Sequence, residues 1–182
     1  MKVLIVVDMQ NDFIDGSLGT AEAVSIVDAV VKRIEGSKGE LILFTKDTHQ
    51  SDYLDTPEGK KLPVVHCVKN TDGWQINEGV QNAWQNNKNT IRIAELPQNT
   101  FMKPVFGSVD LVDFLKSRIS EISEVEILGL CTDICVISNA IMIKNSMPNV
   151  KISVNVECCA GVTPQSHIEA INVMKMCHID EV

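Results

Sequence analysis

Leu128-Gly129-Leu130-Cys131-Thr132-Asp133-Ile134-Cys135-Val136 joins two patterns, an aliphatic run before it (Glu124–Leu130) and apolar residues at helical spacing after it (Asp133–Asn145). A short apolar run that breaks at a polar turn and resumes with helical period reads as a buried strand feeding a helix. Thr132 or Asp133 is placed to cap that helix. Cys135 then falls in its first turn, where free N–H groups and the positive end of the macrodipole favour a thiolate. Taken singly, Cys135 reads equally as a small buried hydrophobe. The rest of the chain has to decide.

Working outward, the same alternation recurs. Lys2–Val7 is an apolar run of strand length, and Thr20–Ile34 carries Ala23, Val24, Val27, Val30, Val31 and Ile34 at helical spacing. Glu40–Thr45 is a second strand, so the chain opens as a βαβ unit with a right-handed crossover. Beyond it, the pattern predicts a short helix over Val80–Gln85, a strand over Thr90–Ile93 and a helix over Leu111–Ile119 capped by Ser108. A strand over Val150–Val154 and a helix from the Thr163-Pro164 cap to Met176 complete the series. Strands and helices in alternation give an α/β fold, a three-layer α/β/α sandwich around a mostly parallel sheet. At 182 residues the chain is expected to form one domain over residues 1–182.

A net charge of −8 leaves no basic patch for phosphate, which excludes nucleic acid and anionic membrane surfaces as expected partners. No apolar run approaches the roughly 20 residues of a membrane span. Lys2–Val7 is too short, and too soon followed by Asp8, to read as a signal peptide. The six cysteines are therefore expected to be cytosolic thiols and the protein cytoplasmic. Its partner should be a small molecule.

In a parallel sheet the ligand crevice lies beyond the carboxyl ends of the strands. Asp8 follows the first strand, Asp47 and His49 the second, and Cys131 to Cys135 the strand ending at Leu130. Asp8 alone reads as a turn cap; near Cys135 it is a base. Lys103 alone reads as a solvated cation; beside two anionic groups it holds both. Asp47 and His49, at i and i+2, share one side of an extended segment, and Glu58 and His66 follow in the same long loop, which runs from Lys46 to about Gly73. Two imidazoles and two carboxylates suit zinc, manganese or iron(II), and a hydrated loop with incidental histidines is the plain alternative. His167 and His178 read as surface or packing residues, and Cys158-Cys159 as packing at a strand end.

With these residues in place, the sequence resembles the cysteine hydrolases of the isochorismatase-like superfamily, and within it the nicotinamidases. The resemblance is carried by Val6-Val7-Asp8-Met9-Gln10-Asn11-Asp12-Phe13, Asp47-Thr48-His49, His66-Cys67-Val68, Thr71-Asp72-Gly73-Trp74, Lys103-Pro104-Val105-Phe106-Gly107-Ser108 and Gly129–Val136. It implies a triad of Asp8, Lys103 and Cys135. In that triad Asp8 takes the thiol proton and later activates water, Lys103 orients the pair, and Cys135 attacks an amide carbonyl. It also implies a cis peptide at Leu130-Cys131, with the N–H groups of Cys131 and Cys135 forming an oxyanion hole.

The resemblance further implies one divalent metal ion, most often zinc, on Asp47, His49 and His66. Many members add a second histidine just after the first; this chain has Gln50-Ser51-Asp52-Tyr53-Leu54-Asp55 there. Glu58 matches the glutamate of some short bacterial members. Phe13 matches one aromatic wall of the pyridine pocket, while Leu62-Pro63-Val64-Val65 stands where a tryptophan is common. The implied activity is hydrolysis of nicotinamide to nicotinate and ammonia in NAD salvage, by a homo-oligomer, dimer or tetramer. A superfamily hydrolase of another small amide, carbamoyl compound or vinyl ether is the nearest rival; those generally lack the metal set. A binding protein on this fold would have no use for the triad, and a thiol-redox protein would need a resolving cysteine, for which only Cys131 is near.

Overall fold

In the computed structural model, which describes residues 1–96 and 99–182, six strands form one sheet in the order β3-β2-β1-β4-β5-β6, with every neighbouring pair parallel. The strands are β1 (Lys2–Val7), β2 (Glu40–Asp47), β3 (Thr100–Lys103), β4 (Glu124–Leu130), β5 (Lys151–Ala160) and β6 (Asp180–Glu181). The central strands are continuous apolar runs because helices cover both faces: Val3–Val7 and Leu41–Phe44 are all buried. The chain builds outward from β1 through β2 to β3, then returns to the other side of β1 with β4. That reversal makes the switch point at which α/β sheets bind ligands.

The helices are α1 (Asn11–Ile14), α2 (Ala21–Glu35), α3 (Pro57–Lys61), α4 (Glu78–Asn86), α5 (Val109–Ser117), α6 (Ile137–Ser146) and α7 (Pro164–Met176). They sandwich the sheet, α2 packing on α4 and β5, and α6 on α5 and α7. Thr20 Oγ1 caps α2, accepting from the Ala23 N–H at 3.0 Å, and the buried stripe is Ala23, Ile26, Val30 and Ile34. Val24, expected on that stripe, faces solvent. Ser108 caps α5 as expected, and Thr163 with Ser166 forms a capping box on α7. Among the described residues no helix is long and apolar enough to cross a membrane.

Several local expectations are corrected. Thr90–Ile93 is not a strand: Ile91 makes one bridge to Leu41 and the chain moves off. The strand beside β2 is instead β3, four residues of which only Lys103 is buried, stopped by Pro104. The long loop after β2 contains a 3-10 turn (Tyr53–Asp55) and α3. β5 runs six residues past Val154, so Cys158 and Cys159 lie buried on the strand. The helix expected over Asp133–Asn145 starts as a π-turn at Thr132–Val136 and becomes α6 at Ile137.

Candidate active site

Four strand ends deliver the predicted residues to one place. Asp8 follows β1, Asp47 and Lys103 close β2 and β3 as paired residues, and Cys131 to Cys135 follow β4. The β1–β4 pairing sets Gly129 opposite Val7, where φ is +119° and a Cβ would come within 2.1 Å of the Val7 carbonyl oxygen. Only glycine lets the two strands close beneath the cysteine turn. Asp8 itself sits in the left-handed region, φ 46°, a conformation uncommon for a non-glycine residue that turns it away from the strand direction.

Asp8, Lys103 and Cys135 form one buried cluster. Lys103 Nζ lies 2.7 Å from Asp8 Oδ2, 3.5 Å from Cys135 Sγ and 3.5 Å from Asp47 Oδ1. Thr45 Oγ1 donates to Asp8 Oδ1 at 2.7 Å, which fixes the carboxylate. The 2.7 Å contact with the Lys103 ammonium holds the other oxygen, Oδ2. A buried carboxylate fixed in this way beside a thiol is suited to take its proton.

The electrostatics correct one expectation. Burial and then the Asp8 charge push the Cys135 thiol well above its ordinary range, and Lys103 only partly offsets them. The resting cysteine therefore keeps its proton, and the helix start by itself does not make it a thiolate. Burial likewise raises Asp8, against the pull of Lys103. Burial works to strip the Lys103 ammonium, but Asp8, Cys135 and Asp47 outweigh it and hold the charge. Cys131, half-buried, is also pushed up, to about 12, first by burial and then by Asp133.

The cysteine turn is held from outside. Neither Thr132 nor Asp133 caps the helix, contrary to expectation. Thr132 Oγ1 pairs with His167 Nδ1 at 2.8 Å, and the Asp133 carboxylate accepts from the Val162 N–H at 3.2 Å. The Cys131 carbonyl accepts from the N–H groups of Ile134 and Val136, passing over that of Cys135 between them. The Leu130-Cys131 peptide is cis. A π-turn of this kind exposes backbone donors that an α-helix would spend. Asn139, one turn on, donates to the Cys135 carbonyl at 2.8 Å and accepts from the Ser108 N–H at 3.0 Å, tying the Cys135 turn to the segment after Lys103.

Asp47, His49 and His66 are all buried, and one ligand atom from each lies within 4.8 Å of the others. His49 Nε2 and His66 Nε2 are 3.0 and 3.5 Å from Asp47 Oδ2. His66 Nδ1 is 2.8 Å from the Val64 carbonyl, so that nitrogen carries a proton and Nε2 is turned toward the cluster. Glu58 stands further out, its Oε1 3.9 Å from His49 Nε2, on the short α3 that Thr56 caps. Gly59 lets α3 sit against Tyr53, whose carbonyl oxygen a Cβ would meet at 2.1 Å. Tyr53 in turn packs its ring at 4.5 and 4.9 Å from the two histidines.

A cavity of about 310 Å³ opens onto Cys135, Cys131, Asp47, Glu58 and His66, between Phe13 on one side and Leu62, Phe106 and Ile134 on others. It is at the small end of ligand pockets, roughly 300–1,000 Å³. Phe13 is where the sequence placed it, 5.6 Å from the His66 ring. Phe106 supplies a second aromatic, a residue the sequence motif contained but gave no role. Also missed were Thr45 and Gln10. Gln10 donates to the carbonyls of Asp47 and Trp74 and accepts from the Asp47 N–H at 2.7 Å, locking the end of β2. A fully buried glutamine two residues past Asp8 is the kind of signal that could have pointed to it.

The nicotinamidase of Escherichia coli is 26% identical over 201 residues, spanning 96% of this chain and 90% of its own. The crystal structure of a pyrazinamidase/nicotinamidase from Streptococcus mutans superposes with a TM-score of 0.82 at 25% identity, covering all of both chains. The pyrazinamidase of Pyrococcus horikoshii in complex with zinc does so at 0.76 and 26%, covering all of this chain and 98% of its own. The family model for the isochorismatase domain matches residues 2–180, and with the sheet, the cysteine turn and the clustered acids in agreement, the chain belongs to the isochorismatase family.

Proposed function

We propose that the protein, as one hydrolase domain over residues 1–182, hydrolyses nicotinamide to nicotinate and ammonia through a cysteine thioester, in NAD salvage in the cytoplasm. The observation that carries this reading is the juxtaposition, around one small cavity, of the Asp8–Lys103–Cys135 cluster with the Asp47–His49–His66 cluster. Other hydrolases of the family need the first cluster; a ring nitrogen held by a metal gives the second its purpose. The names of the relatives from Escherichia coli and Streptococcus mutans point the same way.

In the acylation step the Cys135 Sγ–H proton passes to the Asp8 carboxylate and sulfur attacks the carboxamide carbon. Lys103 keeps its charge throughout and balances whichever of Asp8 and Cys135 is anionic. The N–H groups of Cys131 and Cys135 stabilise the oxyanion as it develops. The proton then goes from Asp8 to the departing ammonia, and Asp8, again a carboxylate, deprotonates the water that cleaves the thioester. Phe13 and Phe106 flank the ring.

The donor set fits a divalent ion. Two imidazoles and a carboxylate, one imidazole oriented by a backbone carbonyl, suit zinc, manganese or iron(II), and the zinc complex of the Pyrococcus horikoshii relative supports zinc. Asp47, His49 and His66 would hold it, with Glu58 as fourth ligand after a small movement of α3. When bound, the ion supplies a Lewis acid for the substrate's ring nitrogen. We further propose a homo-oligomer, supported by the exposed Val105, Phe106 and Val109 beside Ile137 and Ile141.

Ammonia release from nicotinamide, set against benzamide and a panel of carbamoyl compounds, tests the reading. Turnover of nicotinamide in preference to benzamide, whose ring lacks the nitrogen, is the expected result. Equal rates on both, or preference for a carbamoyl compound, would transfer the protein to the rival reading.

A further inference from the structure

Lys46 and Asp47 are consecutive on β2, so their side chains leave the sheet on opposite faces. Asp47 enters the active site, while Lys46 enters a separate cavity of about 520 Å³ that shares no lining residue with it. Lys46 is only 6% exposed. Its Nζ sits 3.1 Å from the centroid of the Trp74 ring and 3.5 Å from Gln75 Oε1, and among the described residues no carboxylate pairs with it. In a chain of net charge −8, a buried ammonium without an anion stands out.

Trp84 also lines the cavity with its indole ring, while its Nε1–H is buried away from the open space. Trp74 spends its Nε1–H on Thr48 Oγ1 at 2.9 Å, which fixes its ring face beneath Lys46. The Arg92 guanidinium stacks 4.1 Å over the Trp84 ring and adds positive potential. Gln81 and Gln85 of α4 and the half-exposed Met102 complete the walls, and no acidic residue lines the cavity.

A buried ammonium whose hydrogen bond is a long one, 3.5 Å to a neutral amide oxygen, calls for an acceptor that carries charge, and indole and thioether walls call for a flat apolar body. We propose that this cavity is a binding site for an aromatic monocarboxylate, with its carboxylate on Lys46 Nζ and its ring against Trp84 and Met102. The site stands apart from the hydrolytic centre and does not depend on what that centre hydrolyses.

Trp74 and Trp84 are the only two tryptophans of the chain, and both line this cavity, so intrinsic fluorescence reports on it directly. Benzoate lacks the ring nitrogen that the metal cluster would take, and is the probe. Titration should give a saturable change in tryptophan emission, weakened by at least about tenfold, roughly 1.4 kcal/mol, in Lys46→Met. The double variant Gln81→Glu with Gln85→Glu, on the outer helix, should weaken it as much without touching β2. Benzamide, of the same shape but neutral, should give no saturable change. No saturable change with benzoate, equal binding of benzamide, or parental affinity in both variants would overturn the proposal. Inorganic phosphate binding as tightly as benzoate would overturn the aromatic assignment.

Discussion

Replacing Asp8 by asparagine tests the proposed chemistry most directly, because the substitution keeps the shape and changes only charge and basicity. The amide oxygen can still accept from Thr45 Oγ1, now held at 2.7 Å, so the side chain has reason to stay in place. Two costs follow. Loss of a general base removes roughly 10²–10⁴-fold of rate, which is about 2.7–5.4 kcal/mol at 1.36 kcal/mol per decade. Breaking a buried ion pair on one side destabilises by about 3–5 kcal/mol. Lys103, 1% exposed, keeps Asp47 Oδ1 and Cys135 Sγ each at 3.5 Å, so the lower end, about 3 kcal/mol, is expected. Against a total stability of about 5–15 kcal/mol the variant remains folded at 25 °C. Urea unfolding gives the stability and ammonia release the rate, both on the same preparation. A destabilised variant whose activity stays within about threefold of the parent would refute the assignment of Asp8 as base and leave it a counter-ion for Lys103.

Cys135→Ala should abolish turnover with an unfolding midpoint near that of the parent, while Cys131→Ala keeps most activity; equal loss in both, measured by ammonia release, would favour a dithiol mechanism. Removing divalent ions with a chelator should suppress activity and zinc should restore it, with metal content per chain reduced in His49→Ala and, to a smaller degree, in Glu58→Ala. Full metal content and unchanged rate in Glu58→Ala would give the fourth position to water. Acid stability should depend on Glu126: burial raises its pKa, but hydrogen bonds from Arg33 and Asn155 prevail, and it lies below its ordinary value in the folded chain. Its contribution is therefore present above the unfolded pKa and disappears as pH falls through the folded one. Glu126→Gln should be less stable than the parent at about pH 7, with the gap narrowing as pH falls below the ordinary glutamate range. A pH-independent gap in urea midpoints would remove Glu126 from that role.

The parts of the fold legible in the sequence are those where local pattern and tertiary burial agree. β1, β2 and β4 are apolar runs because both their faces are covered, and the polar residues that end them announce the crevice. β3 gave no such signal: Thr100–Lys103 is short, Met102 is 49% exposed, and the strand exists only because β2 offers it an edge. Lys103 thus reached the site by a pairing with Asp47 that no local feature encodes; taken singly it reads as a solvated cation, and the family resemblance gave it its place in the triad. Asp47 and His49 were readable because i, i+2 on extended backbone is a local rule, whereas Glu58 depends on how α3 packs on Tyr53. The thiolate argument went astray for a similar reason, since a helix start is visible in sequence and the burial that outweighs it is not. Lys46 and Trp74, far apart in the chain, gave no hint that one lies over the other.

The strand order also bears on how the molecule comes into being. β1 lies at the centre, yet one of its two partners is β4, and Lys2 must find Glu124. During synthesis the Val3–Val7 segment emerges early and stays unsatisfied along one edge until Glu124–Leu130 has left the ribosome. Non-local parallel pairing is slow and leaves apolar edges open to aggregation in the meantime. A nascent chain stopped after β3 would already hold Asp8, Asp47 and Lys103 but neither the proposed nucleophile nor the strand that seals the sheet. Under the proposed chemistry, incomplete chains are hydrolytically inert and adhesive, a burden for chaperones rather than a source of stray amidase activity.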